Sequence, residues 1–241
     1  MALYRKTGFL IVHGVLSAAE CGAINRAAER LPTALDGSYH IATNPHLTDP
    51  VFRGMIGRPA IVQIMERLLH GRVSTLQMQY FFTPPGAEGY SLHQDNFYVQ
   101  SHADAFASAW GALESCGPEN GGLYVFPGSH KEGLLPVDEC NRGLTPAGRD
   151  INVVRSPARL MEEEYDRLDV ELPPGSVIFL HALLAHGSYG NRTADRFRRS
   201  FVITYIRQGA PFRSGRDNKR METDCYNIPE LRVADDTQNQ S

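Results

Sequence analysis

Gly71-Arg72-Val73-Ser74-Thr75-Leu76-Gln77-Met78-Gln79-Tyr80-Phe81-Phe82-Thr83-Pro84-Pro85-Gly86 is where the texture of the chain changes. Residues 73–82 are rich in β-formers, and the Pro-Pro-Gly turn stops them. Upstream the pattern is mainly helical. Residues 9–12 read as a strand, and Ser17-Ala18-Ala19-Glu20 then fits a capping box. Cys21, Ile24, Ala28 and Leu31 share a helical face that Pro32 ends. A second helix starts near Pro59. Its stripe is Ile61, Val62, Met65, Leu68 and Leu69, and Gly71 is placed to end it. Downstream, strands are predicted at 92–100, 106–114, 122–126, 176–181 and 199–206, separated by turns rich in Gly, Pro and Asn.

This order predicts an α+β chain, mainly β, with a β-sandwich or jelly-roll core. It reads as a single domain over 1–241. The helical part runs to about 71, the β core spans about 72–210, and 211–241 form a C-terminal extension with a polar tail from Asp235. Residues 131–171 break the β rhythm and read as an insertion that covers a site. A short helix is predicted at 157–168, with Glu162, Glu163 and Glu164 as a solvated face.

Bulk properties narrow the function. The 241 residues carry a formal charge of −3, too near neutral to indicate a nucleic-acid partner, although Arg192, Arg196, Arg198, Arg199 and Arg207 crowd one stretch. Cys21, Cys116, Cys140 and Cys225 form no CxxC pair, which points to a reduced compartment. The apolar run at 8–16 is too short to span a membrane and lacks a cleavage pattern. A cytoplasmic protein without a removable leader or a membrane partner is expected.

The chemistry starts at His93-Gln94-Asp95. In a strand, positions i and i+2 face the same way, so His93 and Asp95 can converge on one point. Two imidazoles and one carboxylate suit iron(II) and leave positions open for substrates. A third ligand should come from a distant strand. His186, after Pro173-Pro174-Gly175 and an apolar run, is the best candidate. His181 competes with it and reads instead as a hydrogen-bonded core histidine. His130, in the turn Phe126-Pro127-Gly128-Ser129-His130, reads as structural. Beyond His186 comes Asp195-Arg196-Phe197-Arg198-Arg199-Ser200. An arginine entering a core strand is costly to bury unpaired, and its fork matches a carboxylate.

Together these segments resemble the phytanoyl-CoA dioxygenase family of iron(II)/2-oxoglutarate oxygenases. The matching stretches are Leu92-His93-Gln94-Asp95-Asn96-Phe97-Tyr98, Ala109-Trp110-Gly111-Ala112-Leu113-Glu114, Glu119-Asn120-Gly121-Gly122-Leu123, Phe126-Pro127-Gly128-Ser129-His130, and His186-Gly187-Ser188 through Phe197-Arg198-Arg199. The resemblance implies a double-stranded β-helix, a jelly-roll variant of cupin-like type, with N-terminal helices packed on it. It implies His93, Asp95 and His186 as iron ligands and Arg198 as the grip on 2-oxoglutarate. The spacing 198 − 186 = 12 is longer by a residue than is usual in the family, which keeps Arg199 and Arg196 open. Ser200 should share the face of Arg198, Trp110 matches a tryptophan near the cosubstrate, and Gln77 or Gln79 is placed to bond to it. Asn96, Tyr98 and Tyr80 are the expected substrate-side polars.

The implied reaction hydroxylates an unactivated C–H of a small metabolite or natural-product intermediate and releases succinate and CO2. A carboxylate at position 95 argues for oxygenation over halogenation. Two other readings are a cupin-type metalloenzyme without 2-oxoglutarate, against which Arg198 argues, and a non-catalytic β-sandwich binding module.

Overall fold

The computed structural model describes residues 1–136, 142–144, 150–152, 164–229 and 231, the second and third of these stretches as backbone only. Helix α1 (Ala2–Thr7) leads into strand β1 (Phe9–Val12). The capping box then forms as expected. Ser17 Oγ accepts the Glu20 N–H, and Glu20 Oε2 accepts the Ser17 N–H at 2.8 Å, which starts α2 (Ala18–Ala28). Glu20 also pairs with Arg58, whose Nη2 donates to the Val15 carbonyl at 3.2 Å. That contact ties α2 to the first residues of α5. A short α3 (Pro32–Leu35), a two-residue β2 (Ala42–Thr43) and α4 (Pro50–Ile56) intervene, none of them legible in the apolar periodicity. Helix α5 (Pro59–Leu69) buries the five residues of the expected stripe. It ends on His70, left-handed at φ 56°, rather than on Gly71.

The remaining elements are β3 (Val73–Phe81), α6 (Asn96–Val99), β4 (Phe106–Ala112), β5 (Leu123–Val125), β6 (Arg142–Leu144), β7 (Asp150–Asn152), β8 (Leu168–Asp169), β9 (Val177–His181), β10 (His186–Ser188), β11 (Ser200–Arg207) and β12 (Thr223–Asp224). The large sheet runs β1-β9-β4-β11-β3-β12, with β2 also on β3, and a small sheet runs β10-β5-β8. Every pairing is antiparallel. This is the double-stranded β-helix expected.

Strand alternation sorts the large sheet into two faces. Ala107, Ala109, Phe179, Phe201, Ile203 and Tyr205 face the helices and pack on Ile24, Phe52, Met55, Ile61 and Met65. Each large side chain fully buried there contributes about 1.5–3 kcal/mol. The opposite face, with Trp110, Ala112, Ile178 and Leu180, meets Leu123, Val125, Val170 and Leu172 of the small sheet and its flanks. The layers are therefore helices, large sheet and small sheet.

Some expectations change. Residues 92–100 are not a strand: His93 makes one bridge to His186, and the chain then turns into α6. Asp95 is already helical at φ −58° and ψ −31°, and the Asn96 side chain closes the turn on the Ser101 N–H and carbonyl. The helix expected at 157–168 lies largely outside the described residues, with Glu162 and Glu163. Its last position, Leu168, belongs to β8 and pairs with Val125, so the end of the 131–171 stretch joins the small sheet. Glu164 is exposed. Cys21, Cys116 and Cys225 are buried free thiols, Cys140 falls outside the described residues, and so does the tail from Asp235. No helix among the described residues is long and apolar enough to cross a membrane.

At the centre of the large sheet, Gly111 lies opposite Phe201. A Cβ at Gly111 would stand 2.1 Å from the Phe201 ring, which has no solvent exposure and nowhere to move. Gly111→Ala is expected to cost about 1–3 kcal/mol in urea unfolding. Phe201→Leu in the same chain should recover part of the loss, a coupling that a double-mutant cycle measures.

Candidate metal centre

His93 and His186 are brought together by backbone, not by side chains. The His93 N–H donates to the His186 carbonyl at 2.9 Å, and the His186 N–H returns to the His93 carbonyl at 3.0 Å. Residues paired this way project to the same side, and the two rings lie 4.3 Å apart between centroids. Asp95 reaches the same point through the first turn of α6. Its Oδ1 stands 3.7 Å from His93 Nε2 and 3.9 Å from His186 Nε2. One ligand atom from each of the three residues falls within 4.8 Å of the others.

The atoms around this trio orient it. His93 Nδ1 lies 2.8 Å from the Ser91 carbonyl and His186 Nδ1 lies 2.9 Å from the Leu184 carbonyl. A carbonyl only accepts, so each Nδ1 carries a proton, and Nε2 is in each ring the nitrogen left to face a metal. Ser108 Oγ donates to Asp95 Oδ2 at 2.6 Å, which leaves Oδ1 to face the imidazoles. Burial and the neighbouring His186 hold the His93 imidazole well below its ordinary pKa, in the neutral form a metal requires. Two imidazoles and one carboxylate converge, and the donor set fits a divalent transition metal such as iron(II).

His181 does not join them. Strand β9 ends on it and β10 starts at His186 in the other sheet, so a change of sheet separates the two. The His181 ring packs 4.9 Å from His130 and 5.9 Å from Tyr4, with Nε2 3.5 Å from Asp104. His130 bonds to the Arg5 carbonyl.

The trough between the sheets carries the other candidates. Rows of opposed residues cross it. Gln77, Thr204 and Ser108 form one row, Gln79, Val202 and Trp110 the next, and Phe81, Ser200 and Ala112 the third. The first row holds Asp95 through Ser108. At the third, Arg198 Nη1 donates to Ser200 Oγ at 2.6 Å. The Arg198 side chain is 2% exposed, sits 5.5 Å from the Trp110 ring and makes no ion pair among the described residues. Its Nε is buried with no hydrogen-bond partner. Burial pulls its pKa below the ordinary arginine value. An unpaired guanidinium costs several kcal/mol in such a place, and an anion bound beside it would offset that cost. Gln79 and Val202, in the row between Arg198 and the metal ligands, stay partly exposed although they face the interior.

The other two arginines are already engaged. Arg199 points to the helical layer, pairing with Glu114 at 3.4 Å and Glu29 at 3.7 Å. Arg196 is exposed and pairs with Glu119. Tyr80 and Asn96 are not substrate-side. Tyr80 lies on the helix face of β3, fully buried, and donates to Asn25 Oδ1. Asn96 has both ends of its amide committed to Ser101. Tyr98 stays beside the ligands, its ring 6.1 Å from that of His93. Sequence reasoning missed Ser108. Ser108 shares its alternation with Trp110, which was the available signal.

A family model described as phytanoyl-CoA dioxygenase matches residues 4–200. A probable phytanoyl-CoA dioxygenase of Caenorhabditis elegans is 30% identical over 171 residues, covering 65% of this chain and 51% of the relative. The phytanoyl-CoA dioxygenase of Arabidopsis thaliana is 31% identical over 147 residues, covering 61% and 49%. The chain thus spans about half the length of these two curated relatives. Among solved structures, the epimerase SnoN in complex with Fe3+, alpha ketoglutarate and nogalamycin RO superposes with a TM-score of 0.71 at 24% identity, covering 88% of this chain and 84% of that one. EctD from S. alaskensis with 2-oxoglutarate and 5-hydroxyectoine gives 0.70 at 20% identity, covering 88% and 76%. At these identities the likeness concerns the fold.

Two outcomes are expected of the metal centre. Ser108→Ala should weaken divalent-metal binding about ten-fold or more, because Asp95 loses the bond that aims it; anaerobic titration with Fe(II) or Co(II) measures this. Acid should destabilise the metal-free protein. Burial, helped by Arg53, pushes His46 from 6.5 down to about 4, and His93 shifts the same way. Between those limits the unfolded chain binds protons that the folded chain does not. Stability present above about pH 6.5 is therefore lost as pH falls toward about 4. Urea midpoints of the metal-free protein at about pH 7 and pH 5 should show the lower value at pH 5.

Proposed function

The chain belongs to the phytanoyl-CoA dioxygenase family, and on that premise we propose that it is an iron(II)- and 2-oxoglutarate-dependent oxygenase that hydroxylates an unactivated C–H of a small metabolite. The observation that carries the reading is the pairing of two features in one trough. A His-Asp-His trio stands at one end, and a buried, unpaired Arg198 stands at the other. A dicarboxylate keto acid has a metal-chelating end and a distal carboxylate, which matches both.

In this reading His93, Asp95 and His186 hold the iron, with Ser108 fixing which Asp95 oxygen binds. Iron and 2-oxoglutarate, when bound, supply the oxidation, with succinate and CO2 as the cosubstrate's products. Arg198 grips the distal carboxylate, and Ser200, donated to by the same guanidinium, keeps the fork in place. Trp110 walls the trough beneath Arg198, and the Gln79 and Gln77 amides supply polar contacts along it. The apolar contacts of Trp110, Ile178, Leu123 and Val125 keep water from the closed end. Tyr98, beside His93, is the substrate-side polar group that remains.

The substrate is a small molecule, as the SnoN and EctD complexes with nogalamycin RO and 5-hydroxyectoine suggest by analogy. The three buried free thiols support a reduced, cytoplasmic setting.

Anaerobic addition of Fe(II) and 2-oxoglutarate to the metal-free protein should produce a visible charge-transfer band. Its absence, under conditions where another iron/2-oxoglutarate oxygenase shows one, would sink the reading. Arg198→Ala should weaken 2-oxoglutarate binding by about ten-fold or more while leaving iron in place. Arg199→Ala should leave the cosubstrate affinity near that of the wild type.

A further inference from the structure

Gln94 stands between two of the metal-site residues and takes no part in the trio itself. It is 5% exposed, and both N–H donors and the oxygen of its amide are engaged. Nε2 donates to the Leu183 carbonyl at 2.6 Å and to the Gly133 carbonyl at 2.9 Å, while Oε1 accepts the Leu135 N–H at 2.8 Å. A carbonyl only accepts and an N–H only donates, so the amide sits one way round.

These partners lie on two other segments. Leu183 belongs to the run between β9 and β10 that leads to His186. In that run the Ala182 carbonyl accepts the Asn96 N–H at 3.0 Å, and the Leu184 carbonyl faces His186 Nδ1. Gly133 and Leu135 follow the 3-10 turn Ser129–Glu132. The chain around that turn also grips the residue before His186. The Ala185 N–H donates to Ser129 Oγ and the Phe126 N–H to the Ala185 carbonyl, each at 3.0 Å. Leu135 packs on Leu92, Phe126 and Ala185, the first and last of which adjoin His93 and His186. One amide thus joins the turn carrying His93 and Asp95, the run carrying His186, and a third stretch that supplies no ligand.

A buried amide is costly to leave unpaired. If residues 133–135 move off, Gln94 keeps one bond of three, and the turn that carries Asp95 loses its tie to that stretch. We propose, resting on the reading of His93, Asp95 and His186 as metal ligands, that Gln94 is a positioning residue that couples residues 133–135 to the metal centre. Docking of that stretch sets the ligand geometry, and a bound metal, by fixing the ligands, tightens the docking. The coupling is reciprocal, as any linkage between two equilibria must be. The chain thereby ties occupancy of its metal centre to a surface stretch whose middle residue, Leu134, is exposed.

The test uses the full chain, metal-free, titrated anaerobically with Fe(II) and with Co(II). Gln94→Met keeps the length and apolar packing of the side chain and loses all three bonds. It should weaken metal binding about ten-fold or more and alter the visible ligand-field bands of the Co(II) form. Gly133→Ala perturbs the partner stretch from outside the site. Gly133 has φ 78° and ψ −162°, a conformation open to glycine and strained for alanine, and a Cβ there meets nothing within 4 Å. It should weaken metal binding about five-fold or more. The double variant should lose no more affinity than Gln94→Met alone. Hydrogen exchange at the Leu135 N–H reads the reverse direction. Saturating metal should slow it in the wild type and leave it unchanged in Gln94→Met. The wild-type exchange and Gly133→Ala need no change at Gln94, so they decide the matter if Gln94→Met does not fold. The proposal is overturned if the variants lose stability to urea but keep wild-type metal affinity and Co(II) bands, if their effects on affinity add, or if metal leaves Leu135 exchange unchanged in the wild type. A wild type that binds neither metal is a separate failure, that of the metal reading, and the coupling falls with it.

Discussion

The reciprocal backbone bonds between His93 and His186 are the constraint on which the site depends. They join a turn of irregular chain to the edge of the small sheet at one residue pair, with the usual antiparallel geometry and no strand on one side. Because the pairing fixes direction, both imidazoles must face the same space. The carbonyls of Ser91 and Leu184, each two residues before its histidine, then settle which nitrogen holds the proton. Only the carboxylate has to be supplied from elsewhere, and α6 does so by bending the chain straight after the bridge.

The large sheet does two jobs with its two faces. Toward the helices it presents bulky apolar side chains that close the core. Toward the small sheet it narrows from apolar contacts at Ile178 and Trp110 to polar groups at Ser108, Thr204 and Gln77. The polar end carries the metal ligands and the far end the buried guanidinium. The fold thus keeps two charged features apart along the strands and shields the guanidinium from bulk water, which strengthens any electrostatic interaction made there.

Much of this was legible in the sequence because it rests on local periodicity. The capping box at Ser17, the stripe of α5 and most strands of the large sheet need only short-range pattern. The metal trio was found through motifs, yet for a partly mistaken reason: His93 and Asp95 converge through a bridge and a helical turn, not through strand alternation. Alternation cannot anticipate a turn that the Asn96 side chain closes from within. Tyr80 shows the reverse limit. It is polar and directly follows Gln79, but the pleat turns it to the helices, where Asn25 satisfies its hydroxyl. A lateral partner such as Ser108 on Asp95 depends on a contact between residues far apart in sequence.

Arg198 and Arg199 are consecutive, and they look in opposite directions, one into the trough and one toward Glu29 and Glu114. A single-residue slip along a strand exchanges its faces. At this pair the exchange replaces one guanidinium with another, so the trough and the helical layer would each still meet an arginine.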